Sequence, residues 1–256
     1  MQVLCLGLEA PLMAFGGPQV DHRGPTERFP ATSQLAGLLG NALGFTHGQT
    51  DRLQALQDRV RFAAALVRPG ADVMDYQTAD LGQAHLREPS WTTWGRTEHR
   101  VGGAARFGTH IRQRHYRAGS AVALALALAP ADETPRLRQI QDALDRPARP
   151  LFIGRKPCLP AERIVVGLLD DAISLTLALQ ELPFRFPERW ARMTREQTVT
   201  SMEAQWPDSR GGSGREDLHW VVDERDWRNQ IHGGARVVVR GNLELASRPS
   251  SDGVSS

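Results

Sequence analysis

Lysine is almost absent from this chain of 256 residues: Lys156 is the single one, so the other thirty of its 31 basic residues are arginines. Genomic base composition is the plain explanation, yet each exposed arginine offers a planar fork that suits phosphate and base contacts. Cysteine is nearly as scarce, with only Cys5 and Cys158. Two thiols cannot build a four-ligand zinc site, and their scarcity fits a reduced compartment in which Cys5, inside an apolar run, is a small core residue. The eight histidines show no H-x-x-x-H or His/Cys spacing, so no metal site and no cofactor are expected. There is no Gly-Lys-Ser phosphate loop and no G-x-S-x-G elbow. No apolar run approaches the ~18 residues of a membrane span, and the N-terminus lacks a signal peptide's basic and apolar regions. The sequence therefore predicts a soluble, cytoplasmic protein without a membrane partner. Its net charge of +2 and pI near 8.8 permit a nucleic-acid partner without demanding one.

What the chain does contain is concentrated between Gly24 and Gly44. Pro25 and Pro30 fix the backbone on either side of Arg28, and Thr32 or Ser33 then offers an N-cap to a helix. Leu35, Leu38, Leu39, Ala42 and Leu43 recur at helical spacing and define one buried face. Gly37 and Gly40 lie inside that helix, where each costs about 1 kcal/mol against alanine, so something needs close approach to its backbone. Gly44 is the helix stop.

Other elements follow from periodicity. Val3–Leu8 is predicted as a buried strand, and Arg59–Val67 as a strand with Val60, Phe62, Ala64 and Leu66 on one face. In residues 121–129 bulky Val122, Leu124, Leu126 and Leu128 alternate with alanines, giving one large face and one small face against which another element can lie closely. A helix is predicted from Thr134 and Pro135 to Leu144, and another from Asp170 or Asp171 with Ala172, Leu175, Leu179 and Leu182 inward. Val221 and the run Arg236–Leu245 suggest strands. Residues 206–217 resemble a loop, and the Ser-rich residues 246–256 carry no core-forming pattern.

The order RGPTERFPATSQLAGLLGNALG, from Arg23 to Gly44, is similar to the signature of the CasD subunits of type I-E CRISPR Cascade complexes, within the RAMP superfamily. Further pieces resemble that family in the same order: LGLEAPLMAFGG from Leu6 to Gly17, DYQT from Asp75 to Thr78, IRQRHY from Ile111 to Tyr116 and LFIGRKPC from Leu151 to Cys158. The likeness spans about residues 3–168, with no motif beyond Gly167. It implies an α+β, ferredoxin-like (RRM-type) domain from residues 1–86 and 117–190, an inserted basic hairpin or thumb at 87–116, and a smaller β-rich extension at 191–245.

Residues 87–117 match that thumb in composition. Seven arginines (Arg87, Arg96, Arg100, Arg106, Arg112, Arg114, Arg117) stand against Glu88 and Glu98, interleaved with Trp91, Trp94, Phe107 and Tyr116. Cations neutralise phosphates and aromatic rings stack on unpaired bases, which is what a single-stranded RNA surface needs. The resemblance implies a structural subunit that holds the 5′ handle of the guide RNA (crRNA). Its implied partners are an adjacent Cascade backbone subunit and the large PAM-reading subunit, with target DNA reached only through the complex. The RNA contacts it implies are Arg23, Thr26, Arg28, Ser33, Gly37, Gly40, Arg112, Arg114, Tyr116, Arg155 and Lys156, and the thumb contacts are Trp91, Trp94, Arg96, Arg100 and Arg106. Phe29 is expected to be a core plug. The alternative is the metal-independent endoribonuclease activity of type I-C relatives, for which His115 and Tyr116 are the candidates. Adjacent residues on a strand point to opposite faces and no lysine precedes Lys156, so the non-catalytic reading is preferred.

Overall fold

The alternating leucines and alanines after Ser120 form a strand buried along its whole length, and the rest of the chain is layered on its two faces. The computed structural model describes residues 1–17, 19, 21–80, 90–91, 96–98, 109–208 and 217–245. The strands are β1 (Val3–Glu9), β2 (Leu12–Met13), β3 (Arg23–Gly24), β4 (Val60–Arg68), β5 (Ala71–Asp80), β6 (Ser90–Trp91), β7 (Thr97–Glu98), β8 (Thr109–Ala118), β9 (Ala121–Leu128), β10 (Val165–Leu169), β11 (Ser201–Pro207), β12 (Asp217–Val221), β13 (Arg225–Asp226), β14 (Ile231–His232) and β15 (Arg236–Glu244). The helices are α1 (Thr32–Ala42), α2 (Thr50–Arg59), α3 (Leu137–Asp145), α4 (Leu175–Gln180), α5 (Leu182–Arg185) and α6 (Pro187–Thr194).

A seven-stranded antiparallel sheet runs in the order β10-β1-β9-β4-β11-β15-β12. Because side chains alternate along each strand, the two faces carry different residues. Leu4, Leu6, Phe62, Leu124 and Leu126 face one layer, where they pack with Leu35 and Leu39 of α1, Leu56 of α2 and Ile140 of α3. On the other face, Cys5, Ala63, Ala65, Ala123 and Ala125 pack with Ala178 and Leu179 of α4, Leu182 of α5 and Met193 of α6. The small face foreseen for residues 121–129 is therefore the seat of α4, since alanine lets a helix come close. Each fully buried leucine contributes about 2 kcal/mol.

A second sheet is built around β8, which pairs with β5 along ten residues, with β2 antiparallel and with β3 parallel. The molecule is thus a mixed α/β protein with predominantly antiparallel sheets. Most of the expected insertion at 87–116 lies outside the described residues. The paired arms that lead to it start earlier, at Ala71, and end later, at Ala118.

Helix starts differ from the sequence expectation. α1 is capped by neither Thr32 nor Ser33: its N-cap is Ala31, and the exposed N–H groups are served by Asp223 from the far end of the chain. The Thr32 N–H and Oγ1 donate to Asp223 Oδ2 at 3.2 Å, and the Ser33 N–H donates to the Asp223 carbonyl at 2.9 Å. α3 starts at Leu137, two residues after Pro135, with the Arg136 N–H donating to Gln139 Oε1. α4 starts at Leu175 because the Ser174 hydroxyl accepts from the Leu177 N–H, whereas Asp170 and Asp171 face outward in ion pairs with Arg138 and Arg185. α2 and α6 had no sequence expectation. Within 206–217, residues Trp206 and Pro207 complete β11, and residue 217 opens β12.

Asp223 and its neighbours strap the C-terminal part onto α1 and α2. Arg236 donates to both Asp223 oxygens at 2.7 to 3.0 Å, and Gln57 accepts from the Arg225 N–H and from Trp227 Nε1 while donating to the Arg225 carbonyl. Replacing Asp223 with alanine leaves a half-buried guanidinium and the first N–H of α1 unpaired. It should lower unfolding free energy by about 2–4 kcal/mol, read from urea denaturation. An unchanged denaturation midpoint would mean that the strap adds nothing to folding.

Candidate nucleic-acid interface

The alternation of β8 sorts its residues into two sets: His110, Arg112, Arg114 and Tyr116 on one face, Ile111, Gln113, His115 and Arg117 on the other. At the inner end Tyr116 is only 3% exposed and belongs to the core. Arg155 lies over its ring, 4.8 Å from the centroid, and donates to the carbonyls of His115 (2.7 Å), Gly24 (2.9 Å) and Pro25 (3.4 Å). One guanidinium thereby bolts the turn at 154–157 to β3 and β8. The turn itself is closed by Ile153 and Cys158, whose N–H and carbonyl pair at 2.8 Å. Gly154 is required there: its φ is +100°, and a Cβ would stand 1.8 Å from the Ala14 carbonyl oxygen.

This bracket produces a trough of about 480 Å³ lined by His22, Arg112, Gln113, Arg114, Arg155 and Lys156 among others, with no acidic side chain among the described residues of its lining. Arg112 reaches the Asp21 carbonyl at 3.4 Å. Among the described residues, Arg114, Lys156 and the exposed Arg23, which stands opposite Gln113 on β3, have no side-chain partner. Gly154 also borders two further hollows. One, of about 660 Å³, runs along α1 past Gly37 and Asn41; the other, of about 290 Å³, holds Ser33, Gln34 and Arg225. Of the sequence candidates, Ser33, Gly37, Arg112, Arg114, Arg155 and Lys156 therefore border neighbouring hollows from three separate stretches of chain. Cations clustered in this way attract a polyanion, with Asp75 of β5, directly across from Arg114, as the nearest acidic residue in the ladder, and the glycine-lined wall admits a flat group.

Other candidates are placed elsewhere. Arg28 points to β11 and pairs with Glu203 at 2.5 Å. Thr26 Oγ1 accepts from the Phe15 N–H at 2.9 Å, which makes it a brace for its own loop. The close approach foreseen at Gly40 comes from Leu53 of α2, which would lie 2.6 Å from a Cβ there; the glycine serves helix packing inside the core. Tyr116 is likewise removed from solvent by burial under Arg155, so it offers no ring to RNA and no hydroxyl to a cleavage reaction. His115 sits on the opposite face, across from Met74. Phe29 is buried as expected. Arg96 is exposed and Trp91 lies in β6, while Trp94, Arg100 and Arg106 lie outside the described residues.

The sequence reading missed His22 and Gln113, which meet because β3 runs parallel to β8 and the Gln113 N–H donates to the His22 carbonyl at 2.9 Å. No local signal links residues so far apart. Burial pushes the Cys5 thiol up to about 12 and the Cys158 thiol upward as well, so both are protonated core groups. Among the described residues no group of His, Cys, Asp and Glu could hold a metal ion, and no helix is long and apolar enough to cross a membrane.

The family model described as CRISPR-associated protein (Cas_Cas5) matches residues 3–239, well past residue 168, where the recognisable motifs end. A curated relative, the CRISPR system Cascade subunit CasD of Escherichia coli (strain K12), is 32% identical over 164 residues, covering 64% of this chain and 70% of the relative. The fold resembles a chain of a CRISPR RNA-guided surveillance complex with a TM-score of 0.68 at 20% identity, covering 98% of this chain and 95% of that one. It also resembles a Cas protein solved by crystallography, with a TM-score of 0.59 at 19% identity and 95% of each chain covered. A family match over most of the length, joined to a relative of this identity and coverage, places the chain in the Cas_Cas5 family of CRISPR-associated proteins, to which it belongs.

Proposed function

We propose that the chain is a guide-RNA-holding structural subunit of a type I, I-E-like Cascade surveillance complex, working in the cytoplasm in antiviral defence. The observation that carries this reading is the basic trough, in which Arg112, Arg114, Arg155 and Lys156 line one hollow with no acidic side chain among its described lining residues. Its role is to cap the 5′ handle of the crRNA, and the arms β5 and β8 carry the thumb toward the adjacent backbone subunit. The large PAM-reading subunit is a second neighbour, and target DNA is reached only through the complex. The core is ferredoxin-like: β1, the α1–α2 pair, β4, β9, α3 and β10 follow one another as βαββαβ, and their strands lie in the order β10-β1-β9-β4. Residues 191–245 extend this domain.

The chemistry supports a scaffold over a nuclease. A 2′-hydroxyl attack on phosphate needs a proton acceptor and a donor in reach of one phosphate, and here Tyr116 is enclosed while His115 points to the other face. Co-expressed with its sister subunits and a CRISPR array, the chain should purify with bound RNA, and alone it should leave a labelled precursor transcript intact. Sequence-specific cleavage lost on His115→Ala would establish the endoribonuclease instead. Absence of RNA from an assembled complex would remove the RNA-holding role.

A further inference from the structure

The edge of a β-sheet presents a row of backbone N–H and C=O groups, and exposed edges are commonly guarded by lysine, proline or a bulge. The outer strand β12 has none of the three. Among the described residues it closes one end of the seven-stranded sheet and pairs on one side only, with β15. That ladder runs from Asp217 to Val221 without a register shift, and no lysine or proline lies between Asp217 and Asp223. Trp220 is 76% exposed, and Leu218 and Val222 are exposed beside it. Leu218 and Trp220 stand opposite Val239 and Val237, and Val239 stands opposite Trp206 of β11, so all five share one apolar face. A hollow of about 360 Å³ opens beside the same edge, between Trp220, Val221 and Val222 and the stretch from Phe29 to Ala31, with Glu27 also in its lining. Arg240 and Asp223 line it too, but Gln205 and Arg236 engage them. The exposed carboxylates of Glu27 and Asp217 have no side-chain partner among the described residues.

We infer that the outer edge of β12 accepts an extended strand from a neighbouring protein of the complex, alternately apolar and carrying a basic residue, which continues the sheet. The open backbone row selects an extended chain over a helix, because only a strand can pair with it. Two carboxylates without a counter-charge select a basic strand over an acidic one. A second copy of β12 (DLHWV) would bring no arginine or lysine to them, and residues 246–256 of this chain carry Pro249 and Gly253 with no alternating apolar pattern. The inference rests on the reading above of the chain as a subunit of a larger complex.

The test compares the free chain with the complex assembled from its sister subunits and crRNA. Hydrogen exchange is followed over residues 217–222, and Val222→p-benzoylphenylalanine supplies a photo-crosslink. On assembly, alternate amides of this stretch should slow by about tenfold or more, since each gains a backbone hydrogen bond. The crosslink should map to one sister subunit, in a segment of alternating apolar residues with an arginine or lysine. Leu218→Lys and Trp220→Lys each place a cation on the edge, against a basic strand; both should abolish the slowed exchange and leave the urea midpoint of the free chain unchanged. Exchange as fast in the complex as in the free chain overturns the inference, and RNA in the same preparation leaves the RNA-holding reading intact. Protection that survives both lysine variants also overturns it. So does protection already present in the free monomer, which would mean that the chain fills its own edge, and so does a crosslink between two copies. A chain that joins no sister subunit overturns both this inference and the reading beneath it.

Discussion

Replacing Glu9 with alanine should lower the folding free energy by about 3–5 kcal/mol, more than most substitutions elsewhere in the chain. Glu9 ends β1 and its side chain is 9% exposed; Arg189 of α6, 8% exposed, donates to it at 2.6 Å, and Arg68 of β4 at 3.4 Å. Burial lowers the pKa of Arg68, and the nearby Arg195 guanidinium adds to the effect. Those two guanidiniums rely on one carboxylate, so its loss leaves like charges facing each other away from water. The carbonyls of Gly119 and Met193, which also accept from Arg68, cannot replace a negative charge. Thermal and urea denaturation read the effect. Glu9→Gln, which keeps hydrogen-bond acceptance, should fall between wild type and alanine. A loss under 1 kcal/mol for alanine would show that solvent reaches the trio after all.

The second large effect is electrostatic and tests the RNA binding proposed above. Counterion release lowers the logarithm of affinity by about 0.7 per neutralised phosphate per tenfold rise in salt for single strands. Substituting Arg112, Arg114 and Lys156 together with alanine should therefore flatten the salt dependence of complex assembly by about 2 log units per decade. Affinity at low salt should fall by orders of magnitude. Arg28→Ala is the control: its guanidinium is engaged by Glu203 on β11, so the slope should stay at the wild-type value. A triple variant with an unaltered slope would locate the phosphate contacts elsewhere on the molecule.

Local pattern carried much of the fold into view. The two-residue period of residues 121–128 announced both a strand and the different character of its faces, and Leu35, Leu38 and Leu39 announced the buried side of α1. Short elements escaped for a physical reason. α2 buries only Leu53, Leu56, Gln57 and Arg59, too little apolar surface to stand out from a polar stretch, and its seat depends on Gln57 meeting Arg225 and Trp227. The caps escaped likewise, because a carboxylate from residue 223 serves the start of α1 as well as an adjacent hydroxyl would.

By itself the sequence determined which residue types were at hand: arginine in excess, a rigid Pro-flanked loop, a glycine-bearing helix, and motifs whose order resembles one family. Whether a given arginine is a contact or a brace was decided only by the tertiary structure. Arg28, Arg114 and Arg155 are chemically identical, yet Glu203 neutralises the first, no described partner meets the second, and carbonyls from β8 and the 24–25 turn hold the third. A side chain's role follows from the charges and acceptors that the fold brings within a few ångströms of it. Those neighbours come from residues ten to well over a hundred positions away, a distance over which local sequence pattern carries no information.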